Sequence, residues 1–158
     1  MKENVIDVLM YLFEHYMDSE LEVTADHKSL KNELIAAGFT NNEVDKTFDW
    51  LDGLAYLKEN PEEQFVTHRS IRIFAEQENQ KLSLECRGFL IFLEQIQVLD
   101  SKNRELVIDR VMALEGNRIE LRELKWVILM VLFNQPGHEA ALAWIEDQVF
   151  EEVAAITH

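Results

Sequence analysis

The sequence predicts a mainly α-helical protein, in which an N-terminal winged-helix-like module of three helices with a candidate small β-hairpin precedes a C-terminal four-helix bundle. Apolar residues recur at spacings of three and four along most of the chain. Capping residues and glycines divide these stretches into segments of helical length. The polar stretch 58–69, which contains Pro61, interrupts the helical pattern. We therefore expect one module over residues 1–74 and a second over residues 75–158.

The first module begins with an amphipathic helix, predicted over residues 5–17 from a single apolar stripe. A second helix is expected around residues 30–35. Asp26 is a suitable N-cap for this helix, and Gly38 is suitable for its C-terminal end. A tight turn then leads into a third helix over residues 44–57, so the second and third helices should form a close pair.

Short extended segments complete the first module. Residues 21–23 precede the second helix, and residues 65–67 and 70–74 have the alternation of a small hairpin. The order of helix, strand, two helices and hairpin matches a winged helix, which serves in protein docking as well as DNA binding. A plain pair of packed helices explains the second and third helices equally well.

The second module is expected to hold four helices, over residues 76–99, 102–114, 121–134 and 138–155. Asp100 or Ser101 can cap the second of these, and Gly116 can end it. Glu120 lies at the entry of the third, and the turn 134–137 separates the third from the fourth. Connections this short favour antiparallel neighbours.

The charge of the chain bears on its partners. There are 30 acidic residues against 15 Lys and Arg, giving a net charge of -15. Such a field repels phosphate backbones, which makes nucleic acid an unfavourable partner. The predicted third helix carries Glu43, Asp45, Asp49 and Asp52 against Lys46, although a DNA-reading helix would need basic side chains. Direct nucleic-acid binding by the N-terminal half is kept as the alternative function.

The sequence also predicts a compartment. Cys86 is the single cysteine, and no basic and apolar leader opens the chain, as is typical of a protein of the reducing cytoplasm. The longest apolar run, residues 126–133, has 8 residues, whereas a membrane span needs about 20. We expect a soluble cytoplasmic protein without membrane contact.

No motif for catalysis, metal binding or cofactor binding is recognisable. The histidines are scattered, no histidine lies near Cys86 in the sequence, and the five glycines fit no phosphate-binding loop. The acidic residues Glu14, Asp18, Glu20 and Glu22 lack the turn glycine of a calcium loop and are typical of a solvated patch. The sequence therefore predicts a protein that is not an enzyme and has no metal or cofactor.

We expect instead a protein that binds another, unknown protein. Basic side chains are scarce in this chain, and Trp and Arg are enriched in binding hot spots. Arg122 and Trp126 stand four residues apart, so the guanidinium could stack on the indole; in the alternative, Trp126 is buried and the Arg122 stem covers its edge. The candidate partner contacts are Arg87, Gln95, Arg104, Arg110, Arg122, Lys125 and Trp126.

Four blocks of the sequence carry a family likeness: residues 7–14, 86–90, 92–96 and 124–134. In this order and register they resemble the Smg family, a proteobacterial family catalogued as a domain of unknown function. The resemblance implies no catalytic or binding residues. It implies a link to DNA processing by genomic association alone, since genes of the family tend to lie beside those for DNA topoisomerase I and the DNA-processing protein DprA.

Overall fold

The computed structural model of the chain is mainly helical, which confirms the predicted α-helical character of the fold. It describes residues 4–17, 27–60, 73–133, 135 and 137–156. The chain divides into two compact units, residues 1–53 and 54–158, and the division falls within the third helix. The α-helices are α1 (Val5–Leu12), α2 (His27–Ala36), α3 (Asn41–Glu59), α4 (Glu76–Lys81), α5 (Leu84–Gln95), α6 (Ser101–Met112), α7 (Leu121–Leu132) and α8 (Glu139–Ile156).

The start of α1 is fixed by a reciprocal cap. The Asn4 side chain accepts a hydrogen bond from the Asp7 backbone N–H at 3.0 Å, and the Asp7 carboxylate accepts one from the Asn4 N–H at 3.2 Å. This pair satisfies two of the N–H groups that a helix start leaves unbonded. The chain continues beyond α1 as a turn of π-helix, Phe13–Met17, so the predicted helix over residues 5–17 is present in two forms.

The turn between α2 and α3 depends on Gly38, as the sequence predicted. Its φ of +111° lies in the left-handed region, where a residue without Cβ has little strain. The Gly38 N–H donates to the Ile35 carbonyl at 3.0 Å, and the Phe39 N–H donates to the Leu34 carbonyl at 3.1 Å. These bonds close the end of α2 and lead the chain directly into α3.

The first unit has its own apolar core, to which all three of its helices contribute. Its four buried members come from α1, α2 and α3, and the half-buried Tyr11 ring contacts the Phe39 ring edge-on, with 5.4 Å between the ring centres. Helix stability in a protein comes mainly from packing of this kind. The core residues are Val8, Leu12, Leu34 and Val44, flanked by Tyr11, Phe39, Phe48 and Leu51.

The winged-helix pattern stays a prediction. Its candidate strands at 21–23 and 65–67 and most of that at 70–74 lie outside the described residues, as does Asp26. Ile73 and Phe74, at the end of the last segment, are not in a strand. The predicted boundary between residues 74 and 75 also stays a prediction, since residues 61–72 beside it are not described.

The predicted helix over residues 76–99 is wrong in two respects, because it is two helices and the second of them ends at Gln95. Leu82 between them is extended and forms an isolated parallel bridge with Ile119, in which the Ile119 N–H donates to the Lys81 carbonyl at 2.9 Å. Ser83 then caps α5 by accepting from the Cys86 N–H at 3.2 Å. The described part of the second unit therefore holds five complete helices, α4 to α8, where the sequence predicted four.

The remaining helix boundaries of the second unit follow the sequence. The Asp100 side chain accepts from the Asn103 N–H at 2.7 Å and begins α6, and Glu120 occupies the N-cap of α7. From Leu124 to Leu132, every residue of α7 is buried. This helix contacts α5, α6 and α8, so it is the central element of the second unit.

Candidate interaction surface

The inward side of α5 is well packed. Cys86, Leu90 and Leu93 are almost completely buried, and the Cys86 thiol lies 3.7 Å from the Ile119 carbonyl oxygen. Ser83 and the Leu82 bridge fix where the helix starts, and therefore which residues face inward. Free cysteines in proteins are most often buried packing residues, and Cys86 occupies such a position.

The outward side of α5 is also apolar, which is unusual for a surface helix. Leu84 is 77% exposed, and Ile91, Phe92 and Ile96 are each more than 40% exposed. Gly88 and Gln95 lie between them and are exposed as well. We call this surface the α5 face and define it as Leu84, Gly88, Ile91, Phe92, Gln95 and Ile96. None of its six residues is charged.

The α5 face extends onto α8 on one side. The Phe92 ring lies 6.2 Å from the half-buried Trp144 ring, with an angle of 51° between the ring planes. Aromatic rings with centres about 4.5 to 7 Å apart attract each other. Phe92 therefore lies at the border of the α5 face, with Trp144 packed beside its ring.

Two oppositely charged side chains line the other border. The Arg87 Nε donates to the Leu82 carbonyl at 3.2 Å. Glu94, one heptad further along the same side of α5, accepts two hydrogen bonds from the Arg104 Nη1 at 2.6 and 2.8 Å. The Glu94 side chain remains 35% exposed, while that of Arg104 is 6% exposed.

The predicted partner contacts occupy very different places. Gln95 lies in the α5 face and Arg87 on its border, so these two are close to exposed apolar surface. Arg104 is buried, and its guanidinium also lies 3.3 Å from the Glu105 carboxylate. Arg110 binds Asp109, with its Nη2 at 2.8 Å from the carboxylate. Arg104 and Arg110 thus lie in separate ion pairs, because a chain rich in carboxylates offers each guanidinium a nearby partner.

The remaining predicted contacts lie on α7. Trp126 is 1% exposed and belongs to the core, as the alternative interpretation of its position supposed. Lys125 is buried and its ammonium lies 5.4 Å from the centre of the Phe89 ring. Arg122 is exposed. In this conformation the surface available to a partner near α7 thus includes Arg122 but not the Trp126 indole.

Several basic side chains bind carbonyl groups at helix ends. The Lys58 ammonium donates to the Phe133 carbonyl just beyond α7 at 3.2 Å and to the Met130 carbonyl in the last turn of α7 at 3.5 Å. The Lys81 ammonium donates to the Leu114 carbonyl just beyond α6. Burial lowers the pKa of both lysines, and for Lys81 the nearby Glu115 carboxylate opposes this effect. These ammonium groups satisfy acceptors that a helix end leaves unbonded.

The first unit carries a groove of opposite character. It has a volume of about 550 Å³, opens widely to solvent and lies against α2 and α3. Lys31 at its edge binds Asp45 at 2.8 Å. Three carboxylates, spaced four and three residues apart along α3, line the groove together with two lysines of α2. The lining residues are Lys28, Lys31, Asp45, Phe48, Asp49 and Asp52.

The described residues hold neither a metal site nor a membrane span. No group of three or more His, Cys, Asp or Glu side chains in those ranges is arranged to hold a metal ion. Within the same ranges, no helix combines the length and the apolar character needed to cross a membrane.

The sequence prediction missed the apolar residues of the α5 face. The predicted partner contacts include Gln95 from this face but none of its four exposed apolar residues, Leu84, Ile91, Phe92 and Ile96. Leu84 and Ile91 stand one heptad apart, and this spacing places them together on a side that excludes Cys86 and Leu90. A second apolar stripe on α5 was therefore readable from the sequence.

Comparison with known proteins places the chain in a family. Residues 5–158 match the family model described as protein of unknown function (DUF494). A protein Smg homolog of Nitrosococcus oceani is 60% identical over 159 residues, which cover 100% of both chains. Smg homologs of Xanthomonas oryzae pv. oryzae and Stenotrophomonas maltophilia are 52% and 51% identical, each over 95% of both chains. No solved structure matches the chain. Because the family model and these relatives span nearly the whole sequence, the chain belongs to the Smg family, whose model carries no assigned function.

Proposed function

We propose that this chain is a non-enzymatic, cytoplasmic interaction protein that contacts another protein chain through the α5 face. The observation that carries the proposal is the exposure of four large apolar side chains on one side of a single well-capped helix. Single exposed apolar residues are common on monomers, but contiguous apolar patches mark binding surfaces.

The form of the α5 face supports contact with a protein. A helix that presents apolar residues at spacings of three, four and seven can lie against another helix or in an apolar groove. Phe92 is positioned by Trp144, and aromatic side chains that are held in place lose little conformational entropy on binding. The uncharged α5 face can also be desolvated at lower cost than the charged remainder of the surface.

Charge supports a protein partner over nucleic acid. Basic side chains of the described residues are largely engaged within the chain, at helix-end carbonyls or in ion pairs such as that of Arg104 with Glu94. The exposed side of α3 carries Asp45, Asp49 and Asp52. If the first unit is winged-helix-like, its third helix is suited to docking a protein and unsuited to a phosphate backbone.

Site-specific photo-crosslinking in living cells tests the proposal. A photoreactive amino acid at the position of Leu84 or Phe92 should give a covalent adduct with a protein, because these side chains lie inside the contact. The same amino acid at Ile73, which is 85% exposed and lies outside α5, is the matched control and should give none. Adducts absent from both α5 positions, or equally abundant at Ile73, would remove the proposal.

A further inference from the structure

We infer that the α5 face binds a second copy of this chain, with the two α5 helices antiparallel. This inference rests on the proposed function, because it names the occupant of the same surface. It follows from three features of α5: the spacing of the seam residues, the gap at Gly88 and the charges on one border.

The spacing of the seam favours helix pairing. Leu84, Gly88, Ile91 and Gln95 follow one another at intervals of four, three and four residues, the alternation with which one helix meets another along a shared seam. A twofold axis between Gly88 and Ile91 makes the seam complementary to itself. Leu84 then lies opposite Gln95 of the second copy, and Gly88 lies opposite Ile91 of the second copy.

Gly88 makes close approach feasible. A Cβ built on this residue would meet no atom within 4 Å, so the surface has an open depression at this point. Interaxial distances between packed helices are about 8 to 10 Å and are shortest where small residues lie at the contact. The Ile91 side chain of the second copy is long enough to enter the depression from the facing helix.

The charges on the border select the antiparallel orientation. Arg87 and Glu94 lie on the same border of the seam, seven residues apart. In an antiparallel pair, each border of the seam faces the same border of the second copy. Arg87 therefore meets Glu94 of the second copy, and the twofold axis repeats this contact. In a parallel pair the same border would face Glu85 and Phe92, which offer the Glu94 carboxylate no cation. Glu94 is exposed enough to accept this second cation while it holds Arg104.

The α5 face is also a place where two strongly acidic chains can meet. The chain carries a net charge of -15, so most of its surface repels a second copy. The six residues of the α5 face add no charge to this repulsion. Helix pairing therefore buries apolar area where repulsion between the copies is least.

Disulfide trapping on the full-length chain tests the orientation. In the antiparallel pair, Leu84→Cys and Gln95→Cys in one chain form two intermolecular disulfides on mild oxidation. Each single variant is the matched control, because equal residues of the two copies then lie about 16 Å apart along the axis, beyond the reach of a disulfide. A covalent dimer from the double variant alone is expected. A dimer from a single variant, or none from the double variant, would overturn the antiparallel pair.

Sedimentation velocity over a range of concentrations tests the association itself. The unmodified chain should form a reversible dimer, Ile91→Glu should remain monomeric, and Ile73→Glu should dimerise like the unmodified chain. Circular dichroism verifies that all three are equally helical. A chain that stays monomeric at its highest attainable concentration would overturn this inference. Photo-crosslinks from Leu84 to a different protein would in that case leave the proposed function standing.

Discussion

The ammonium nitrogen of Lys58 lies 3.2 Å from the carbonyl oxygen of Phe133, so the end of α3 is joined to the end of the central helix α7. A second carbonyl of α7, that of Met130, lies 3.5 Å from the same nitrogen. The two residues are 75 positions apart in the sequence. This contact connects the C-terminal part of α3, which belongs to the second unit, to the helix on which α5, α6 and α8 pack.

Replacement of Lys58 by Met should destabilise the second unit. The variant keeps the apolar stem but loses the hydrogen bonds to the α7 carbonyls, and we expect a loss of about 1 kcal/mol at neutral pH. Chemical denaturation followed by tryptophan fluorescence measures this loss. Lys102→Met is the control, because Lys102 is exposed on α6 and its replacement should change the free energy of unfolding by less than about 0.5 kcal/mol.

The Lys58 contact should also depend on pH. Burial lowers the pKa of Lys58 below its ordinary value of 10.5, so between the folded pKa and 10.5 the unfolded chain binds more protons at this residue. Stability contributed by Lys58 therefore rises with pH through that window. The free-energy difference between the unmodified chain and Lys58→Met should grow as the pH is raised toward 10.5. A difference that shrinks over the same range would contradict the burial of this amine.

Glu94→Ala should cost more stability than a similar change at an exposed ion pair. It removes the main partner of the buried Arg104 guanidinium, which keeps only the 3.3 Å contact with Glu105. We expect a loss of about 2 kcal/mol in the free energy of unfolding. Asp45→Ala, at the more exposed pair with Lys31, should cost less than about 1 kcal/mol. Equal losses in the two variants would show that Arg104 does not depend on Glu94.

Ser83→Ala should loosen the start of α5. The side chain accepts from the Cys86 N–H, and loss of such a cap costs about 1 kcal/mol. Native-state hydrogen exchange should show faster exchange in the first turn of α5 and unchanged exchange in α7. Ser83→Asp, which restores a capping acceptor, should restore slow exchange. If neither variant alters exchange in α5, the cap is not what fixes the register of the α5 face.

The acidic face of α3 leads to a prediction about nucleic acid. Electrophoretic mobility-shift assays at low salt, with duplex and single-stranded DNA and RNA, should show no complex at micromolar protein. Low salt strengthens electrostatic binding to phosphate, so even weak nucleic-acid binding should be visible in this assay. A retarded band that disappears when Lys28 and Lys31 are both replaced by Glu would instead favour nucleic-acid binding by the first unit.

Local signals in the sequence predicted much of the fold. Gly38, Asp100 and Glu120 mark helix ends through their own backbone or side-chain chemistry, so each was readable without knowledge of the tertiary structure. The break at Leu82 was missed because it depends on pairing with Ile119, which lies 37 residues away in the chain, and no local breaker precedes Ser83.

Burial limited the prediction of the candidate surface. Trp126 and Arg104 have residue types that are common in binding hot spots, but tertiary packing places both inside the second unit. Leu84 and Ile91 have residue types common in cores and are exposed. Whether an apolar stripe faces inward is decided by the neighbouring helices, here α6 and α7, and α5 has one stripe on each side.

Comparative capture from native cytosol tests the α5 face most directly. The tagged chain, Ile91→Glu and Ile73→Glu would be incubated with the same cytosol, and the recovered proteins, untagged copies of the chain included, quantified by mass spectrometry. We predict that the tagged chain and Ile73→Glu recover the same specific protein and that Ile91→Glu loses it while retaining its melting temperature. Equal recovery by all three, or recovery of no specific protein by any, would contradict a binding role for the α5 face.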